Sequence, residues 1–437
     1  MAKIHVQAVR GMHDILPQDQ KYWQFLQDNF EKIAKSAGFS RISFPVVEKA
    51  SLFERTVGEE TDIVEKEMYS LVSRKQEEKE DKEILVLRPE GTASVARAYV
   101  EHGMQSLSQP VQLYYSGPMF RYGRPQKGRQ RQFHQLGLEI IGDLDPVLDA
   151  QLISLASRLI KKLKIKDFTV QINSIGCLKC RAKFVKKLKE YYKPILKNLC
   201  PDCKKRYNKN ALRLLDCKEP ACQEYKNGAP QMVDYLDQED QGHFRQVLEY
   251  LDELEVPYEL NTYLVRGLDY YTRTVFEIWP QLEEGKDPSR FALGGGGRYD
   301  DLISLFGGKS TPAIGFALGA ESIIELLKEK DIKVPAREIP DIFVVQLGEL
   351  AKKKSLKLIE ELREEGFKVI SALGRESIKS QLRLADKLRV SLALILGHKE
   401  VLDGTVIIRD MHGGMQEIAS VENVVDEIKK RLPRENF

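Results

Sequence analysis

Apolar residues along this chain fall into two periods. Between Lys21 and Gly38 they recur every three to four positions. Tyr22, Phe25, Leu26, Phe30, Ile33 and Ala34 form one stripe, which predicts a helix closed by Gly38. From residue 132 the period becomes two. Phe133, Gln135, Gly137, Glu139 and Ile141 then share one strand face, and His134, Leu136, Leu138 and Ile140 share the other. A glutamine and a glutamate beside an aromatic ring make a polar lining, not a core. A strand from Val111 to Arg121 precedes this one. The loop between them, Tyr122 to Arg131, carries Arg124, Lys127, Arg129 and Arg131. The hairpin implies a small polar substrate held on a sheet, with phosphate handled beside it.

Further strands are predicted at 43–47, 84–87, 168–172, 258–264, 275–278 and 291–293, the last running into Gly294–Gly297. Pro45 inside the first of these points to an edge or an interface. Residues 73–83 are a charge run, read as a solvated hairpin tip. Gly91 or Thr92 can open a helix. A lysine-rich, helix-patterned segment at 174–255 reads as an inserted module. Residues 328–340, charged and holding Pro335 and Pro340, read as a linker. From 341 to 437 strands and helices alternate, with strands at IFVVQL, KVISA, LALILG and TVIIRD. That spacing predicts a small α/β domain with a mostly parallel sheet. No internal repeat is present.

Composition narrows the function classes. The 437 residues are 42% hydrophobic and 30% charged, with a net charge of +3. No apolar run approaches the roughly 20 residues of a bilayer span. The N-terminal residues lack the apolar centre of a signal peptide, so the expected location is the cytoplasm. No membrane partner is expected. The near-neutral balance excludes a basic DNA coat, so nucleic-acid contact must come from local patches. All six cysteines lie within 177–222, as two C-x2-C pairs followed by Cys217 and Cys222. Two readings stand: a structural zinc site on Cys177, Cys180, Cys200 and Cys203, or a cluster of buried thiols.

Several catalytic signatures are excluded. GGKST at 307–311 lacks the earlier P-loop glycine, since Ile303 stands there. The four glycines do not form a dinucleotide fingerprint. No serine or cysteine occupies a nucleophile motif, and no H-E-x-x-H zinc motif is present. What remains is a set of polar residues at strand ends: Glu90, Thr92, Arg121, Gln135, Glu139, Arg266, Asp269, Tyr270, Tyr271 and Tyr299. Taken singly, each is most simply a surface or turn residue. Their clustering in otherwise apolar strands argues for a site.

These segments carry a family resemblance. VRGMHDILP at 9–17, LRPEGTA at 87–93, GPMFRYGRPQKGRQRQFHQLGLEIIG at 117–142 and LVRGLDYYTRTVFEI at 264–278 resemble the motifs of histidyl-tRNA synthetases, which are class II aminoacyl-tRNA synthetases. INSIGC, LLDCK and GGGGRYDDLI add to the match, which runs nearly end to end. The resemblance implies an α+β catalytic domain with an antiparallel sheet at 1–327, interrupted by an insertion domain at 174–255. It further implies the linker at 328–340 and an anticodon-binding α/β domain at 341–437. It implies a homodimer, with Pro45 in the interface element.

The implied reaction has two steps. Histidine attacks the α-phosphate of ATP through its carboxylate, and the adenylate then passes its histidyl group to tRNA(His). Such a transfer needs positioned positive charge more than a protein nucleophile. By resemblance, Arg121 and Arg266 hold the α-phosphate from opposite sides, and Arg266 stands where other class II enzymes use a metal ion. Phe133 stacks on adenine and Arg129 serves ATP. Glu90, Thr92, Gln135, Glu139, Tyr270, Tyr271 and Tyr299 bind histidine. Magnesium bridges the ATP phosphates, and the basic loop also serves the tRNA acceptor end. One position departs from the pattern. The motif 3 arginine is replaced by Ser322, for which Arg298 is a candidate substitute. A regulatory subunit of ATP phosphoribosyltransferase shares this fold and is the alternative reading.

Overall fold

The computed structural model describes residues 6–58, 61, 63–72, 83–126, 128–281, 292–335, 339–372 and 377–432. The chain divides into two compact units, Met1–Val334 and Pro335–Phe437.

The first unit is organised by an eight-stranded sheet. Its order is Ser40–Arg41, Val111–Phe120, Gln132–Ile141, Ala313–Gly319, Gly294–Arg298, Thr272–Pro280, Phe168–Ser174 and Tyr258–Leu260. The six central strands run antiparallel, and the two short edge strands pair in parallel. The alternation at 132–141 explains how the sheet is covered. Leu136, Leu138 and Ile140 join Leu26, Phe30, Leu152, Ile153 and Ile323 in one buried core beneath helices Gln20–Ser36, Pro146–Lys162 and Ala320–Glu329. Burying each such side chain stabilises by roughly 1.5–3 kcal/mol. Helix Pro146–Lys162 starts where Asp145 accepts the Val147 N–H at 2.9 Å, with Pro146 in its first turn. The opposite sheet face, carrying Gln135 and Glu139, is left for the site.

Two expectations are corrected here. The glycine run is itself a strand, Gly294–Arg298, while Phe291 lies outside the described residues. Pro45 is not in a strand. It falls in an irregular stretch before Val47–Lys49, and its carbonyl accepts from Arg88 at 3.2 Å. Most of the charge run at 73–83 lies outside the described residues. The segment from 178 to 253 is entirely helical in its regular elements, from Leu178–Tyr192 to Gln238–Glu253.

The second unit holds a five-stranded sheet in the order Val369–Ser371, Ile342–Gln346, Leu392–Leu396, Thr405–Asp410, Gln416–Ser420. Only the first three strands are parallel; the last two return antiparallel. The sheet is therefore mixed, where a mostly parallel one is expected from the sequence. The strand missed, Gln416–Ser420, is an edge strand whose residues are largely exposed, so it shows no apolar alternation. Among the described residues no helix is long and apolar enough to cross a membrane.

Candidate active site

The hairpin of Val111–Phe120 and Gln132–Ile141 opposes Gly117 to Gln135, Tyr115 to Gly137 and Leu113 to Glu139. On its other side Gly315 opposes Glu139. Glycines thus flank the polar side chains and leave them room. A Cβ on Gly315 would collide with the Glu139 carboxylate, and one on Gly91 or Gly137 with the ring of Tyr115. The strand Gly294–Arg298 repeats the device. A Cβ on Gly295 would lie 2.7 Å from an Arg266 nitrogen, and one on Gly297 would lie 3.0 Å from the Tyr271 ring.

A cavity of about 310 Å³ opens on this face. Glu90, Thr92, Arg121, Arg129, Phe133, Gln135, Arg266, Tyr270 and Tyr271 all line it. Glu90 is buried and accepts the Thr92 and Ala93 N–H groups, each at 2.7 Å, so it anchors the first turn of helix Thr92–Glu101. Tyr270 donates to it at 3.4 Å. Burial raises the Glu90 pKa above its usual value, partly offset by those two backbone donors.

Glu139 and Tyr299 stand behind this wall and do not line the cavity. Glu139 is fully buried, accepting from Thr92 Oγ1 at 2.7 Å and from the Tyr299 hydroxyl at 2.6 Å. Burial, only partly countered by these two donors, pushes its pKa up to about 8. Burial and then the neighbouring Glu139 carboxylate hold the Tyr299 phenol well above its ordinary range.

Two guanidiniums face the acidic floor. Arg121 donates to the Pro89 carbonyl at 2.9 Å and lies 5.1 Å from the centre of the Phe133 ring. Burial lowers its pKa. Arg266 pairs with Glu277 and lies 5.6 Å from the Tyr271 ring centre. Burial pulls its pKa down, but the Glu277 carboxylate more than offsets this and holds it above the usual value.

The basic loop is partly spoken for. Arg129 pairs with Glu67, Arg131 lies 3.9 Å from the Tyr122 ring centre, and Arg124 is exposed. Lys127 lies outside the described residues. The N-terminal segment ties the loop down, with Gly11 accepting the Arg131 N–H at 2.8 Å.

Ser322 lines the cavity beside Gly128, whose carbonyl is 3.5 Å from its hydroxyl. Its neighbour Glu321 accepts the His134 N–H at 2.9 Å and so ties the helix to the hairpin. Arg298 does not replace the missing cation. It is fully buried, pairs with Asp149 at 2.6 Å and donates to the carbonyls of Asp143 and Asp145. Its guanidinium is thereby committed to the covered side of the sheet.

The cysteines do not group as expected. Cys200 and Cys203 lie with Cys217 and Cys222, whereas Cys177 and Cys180 lie beside Asp237 and Asp240. Sequence reasoning missed Tyr115, Glu277, Glu67 and Glu321. Glu277 carries a readable signal, a lone acid in the apolar strand VFEIW; the other three have none.

Comparison with known proteins agrees with this geometry. Residues 11–323 match the histidyl-tRNA synthetase family, and residues 341–431 match the anticodon binding domain. A histidine–tRNA ligase of Dehalococcoides mccartyi is 45% identical over 98% of this chain and 100% of its own length. One of Thermosipho melanesiensis is 46% identical over 93% of this chain and 94% of its own. The apo S. aureus histidyl-tRNA synthetase structure superposes with a TM-score of 0.80 at 32% identity, covering 97% of this chain and 100% of that one. The chain belongs to the histidyl-tRNA synthetase family.

Proposed function

We propose that this chain ligates L-histidine to tRNA(His) through a histidyl-adenylate, with the roles below carried by the cavity on the hairpin face. The observation that supports it most is the pairing of two half-buried guanidiniums, Arg121 and Arg266, with an acceptor floor in one cavity. ATP enters as its magnesium complex. Arg121 and Arg266 clamp the α-phosphate as the histidine carboxylate attacks it, stabilising charge that spreads over the phosphoryl oxygens. Neither needs to move a proton. Phe133 supplies a face for adenine, and Arg129 reaches the nucleotide by leaving Glu67. Glu90, Thr92 and Gln135 accept from the α-ammonium. Tyr270 and Tyr271 wall the imidazole, while Glu139 and Tyr299 read it from behind, once Thr92 or Tyr299 yields its bond. Arg124 and Arg131 serve the tRNA acceptor end.

The reading extends to the domain plan: a catalytic domain at 1–327 interrupted by 174–255, a linker at 328–340 and an anticodon-binding domain at 341–437. It also includes a cytoplasmic homodimer that needs neither DNA nor a membrane. Val47–Lys49, Leu85–Leu87 and Tyr69–Leu71 form a small antiparallel sheet next to Pro45, and Val46, Val47, Leu71 and Leu85 are exposed on or beside it, which supports an interface there. The regulatory-subunit alternative is not favoured, because ligases match this chain over their whole length. Pyrophosphate exchange with histidine, compared with the other amino acids, tests the reading. Exchange driven equally by another amino acid, or none with histidine, overturns it.

A further inference from the structure

The insertion contains a cluster that catalysis leaves unused. Cys200 and Cys203 flank the start of helix Pro201–Lys209, and Cys217 and Cys222 come from the following loop and from helix Pro220–Lys226. All four sulfurs lie within 4.8 Å of one another, with Cys200 and Cys217 3.9 Å apart. A tetrahedral zinc with Zn–S bonds of about 2.3 Å sets its sulfurs about 3.8 Å apart. The Cys203 N–H points at the Cys200 sulfur at 3.4 Å, and the Cys200 N–H at the Cys222 sulfur at 3.3 Å. Backbone donors of this kind support thiolates bound to a metal. Cys203, Cys217 and Cys222 are buried, and all six cysteines are free of disulfides.

The second cluster is different. Asp240 accepts the Cys177 N–H at 2.7 Å and pairs with Arg273 at 3.2 Å, and the Asp237 N–H points at the Cys180 sulfur at 3.2 Å. Its polar groups are occupied with fixing helix ends.

The four-cysteine knuckle is also tied to the catalytic loop. Asn210, midway between Cys203 and Cys217, donates to Asp269 at 2.6 Å. Asp269 sits three residues after Arg266, in the turn that also carries Tyr270 and Tyr271. A cavity of about 190 Å³ is lined by Cys217 together with Val265 and by Glu277, the partner of Arg266.

We propose that Cys200, Cys203, Cys217 and Cys222 bind one zinc ion as thiolates, and that the ion holds Asn210 against the loop of Arg266. Binding releases the thiol protons and links metal occupancy to folding of the insertion. Asn210 is a positioning residue.

Elemental analysis of the full chain, expressed in zinc-supplemented medium, is expected to give one zinc per chain. Cys217→Ser/Cys222→Ser loses it, and Cys177→Ser/Cys180→Ser keeps it. Cobalt exchanged into the wild type gives sulfur-to-cobalt charge transfer and intense tetrahedral bands, which decides the matter even where the double variant fails to fold. Asn210→Ala keeps its zinc but lowers kcat of pyrophosphate exchange about tenfold, with histidine KM and melting temperature unchanged. A wild type without zinc and without a cobalt–thiolate spectrum overturns the site. So does zinc lost with Cys177 and Cys180, or iron found in its place. Unchanged kcat in Asn210→Ala overturns the link to the loop. Neither metal readout depends on which amino acid the enzyme activates.

Discussion

The two ends of the cavity are built on opposite terms. At the end formed by Glu90 and Thr92, with Glu139 behind them, both carboxylates are already bonded within the protein, to backbone N–H groups and to hydroxyls. At the other end Arg121, Arg129 and Arg266 face Ser322, which brings no charge. Arg266 Nε has no hydrogen-bond partner there, although it is buried. Under the proposed function, the first end discriminates by what a wrong ligand would leave unpaired, and the second works by charge offered to a phosphate. Gln135 sits between them, with its buried Oε1 also unpartnered.

The contrast breaks most sharply at the cationic end. Arg266→Ala is expected to lower kcat of pyrophosphate exchange by about 10²–10³-fold, as does the loss of one donor aimed at transition-state charge. Near-normal exchange would sink the clamp. At the acidic end, Glu139→Ala strands the Thr92 and Tyr299 hydroxyls at ~1–3 kcal/mol each, so KM for histidine should rise about 10- to 100-fold with KM for ATP little changed. An unchanged histidine KM removes Glu139 from recognition. Ser322→Arg should sharpen the comparison the other way, tightening ATP about tenfold in calorimetry through one charge-assisted contact. No gain would mean that Arg129, freed from Glu67, already fills the place.

The smallest effect concerns pH. Burial raises Glu139 from 4.5 to about 8, so between those values the folded state holds a proton that the unfolded state has lost. Its contribution to stability is fully present below about 4.5 and disappears as pH rises to about 8. The slope is at most about 1.4 kcal/mol per pH unit. Glu139→Gln removes this titration, so its melting temperature should fall less steeply across that window. Parallel profiles for variant and wild type would rule out Glu139 as the source.

Much of the fold and the site is legible in the sequence, for physical reasons. The hairpin announces itself because strict alternation with polar residues on one face requires an extended strand with one wet side. Helices with a full apolar stripe, such as Gln20–Ser36, are equally plain. The strand at Gly294–Arg298 is not, since glycine disfavours strands and reads as a turn. Its place in the sheet comes from neighbours on both sides, which no local pattern reveals. Arg298 looks available in sequence because the Asp149 that consumes it is 149 residues away. The cysteines mislead through spacing: two C-x2-C pairs suggest one site, while folding joins the second pair to the wider-spaced Cys217 and Cys222. Motif resemblance names the site residues, yet only the structure separates those that line the cavity from Glu139 and Tyr299 behind it.

The glycine strand carries a consequence for how this enzyme tolerates change. Gly295 and Gly297 offer no side chain to a ligand, yet a single methyl group at either would meet the Phe276 or Thr274 carbonyl of the neighbouring strand and then Arg266 or Tyr271. In a saturation screen for aminoacylation these positions should therefore score among the most intolerant. Gly295 variants would combine a displaced Arg266 with disturbed strand pairing, and Gly297 variants a displaced Tyr271 with the same. The shape of the substrate chamber is inherited as much through hydrogen atoms at Cα as through the side chains that do the chemistry.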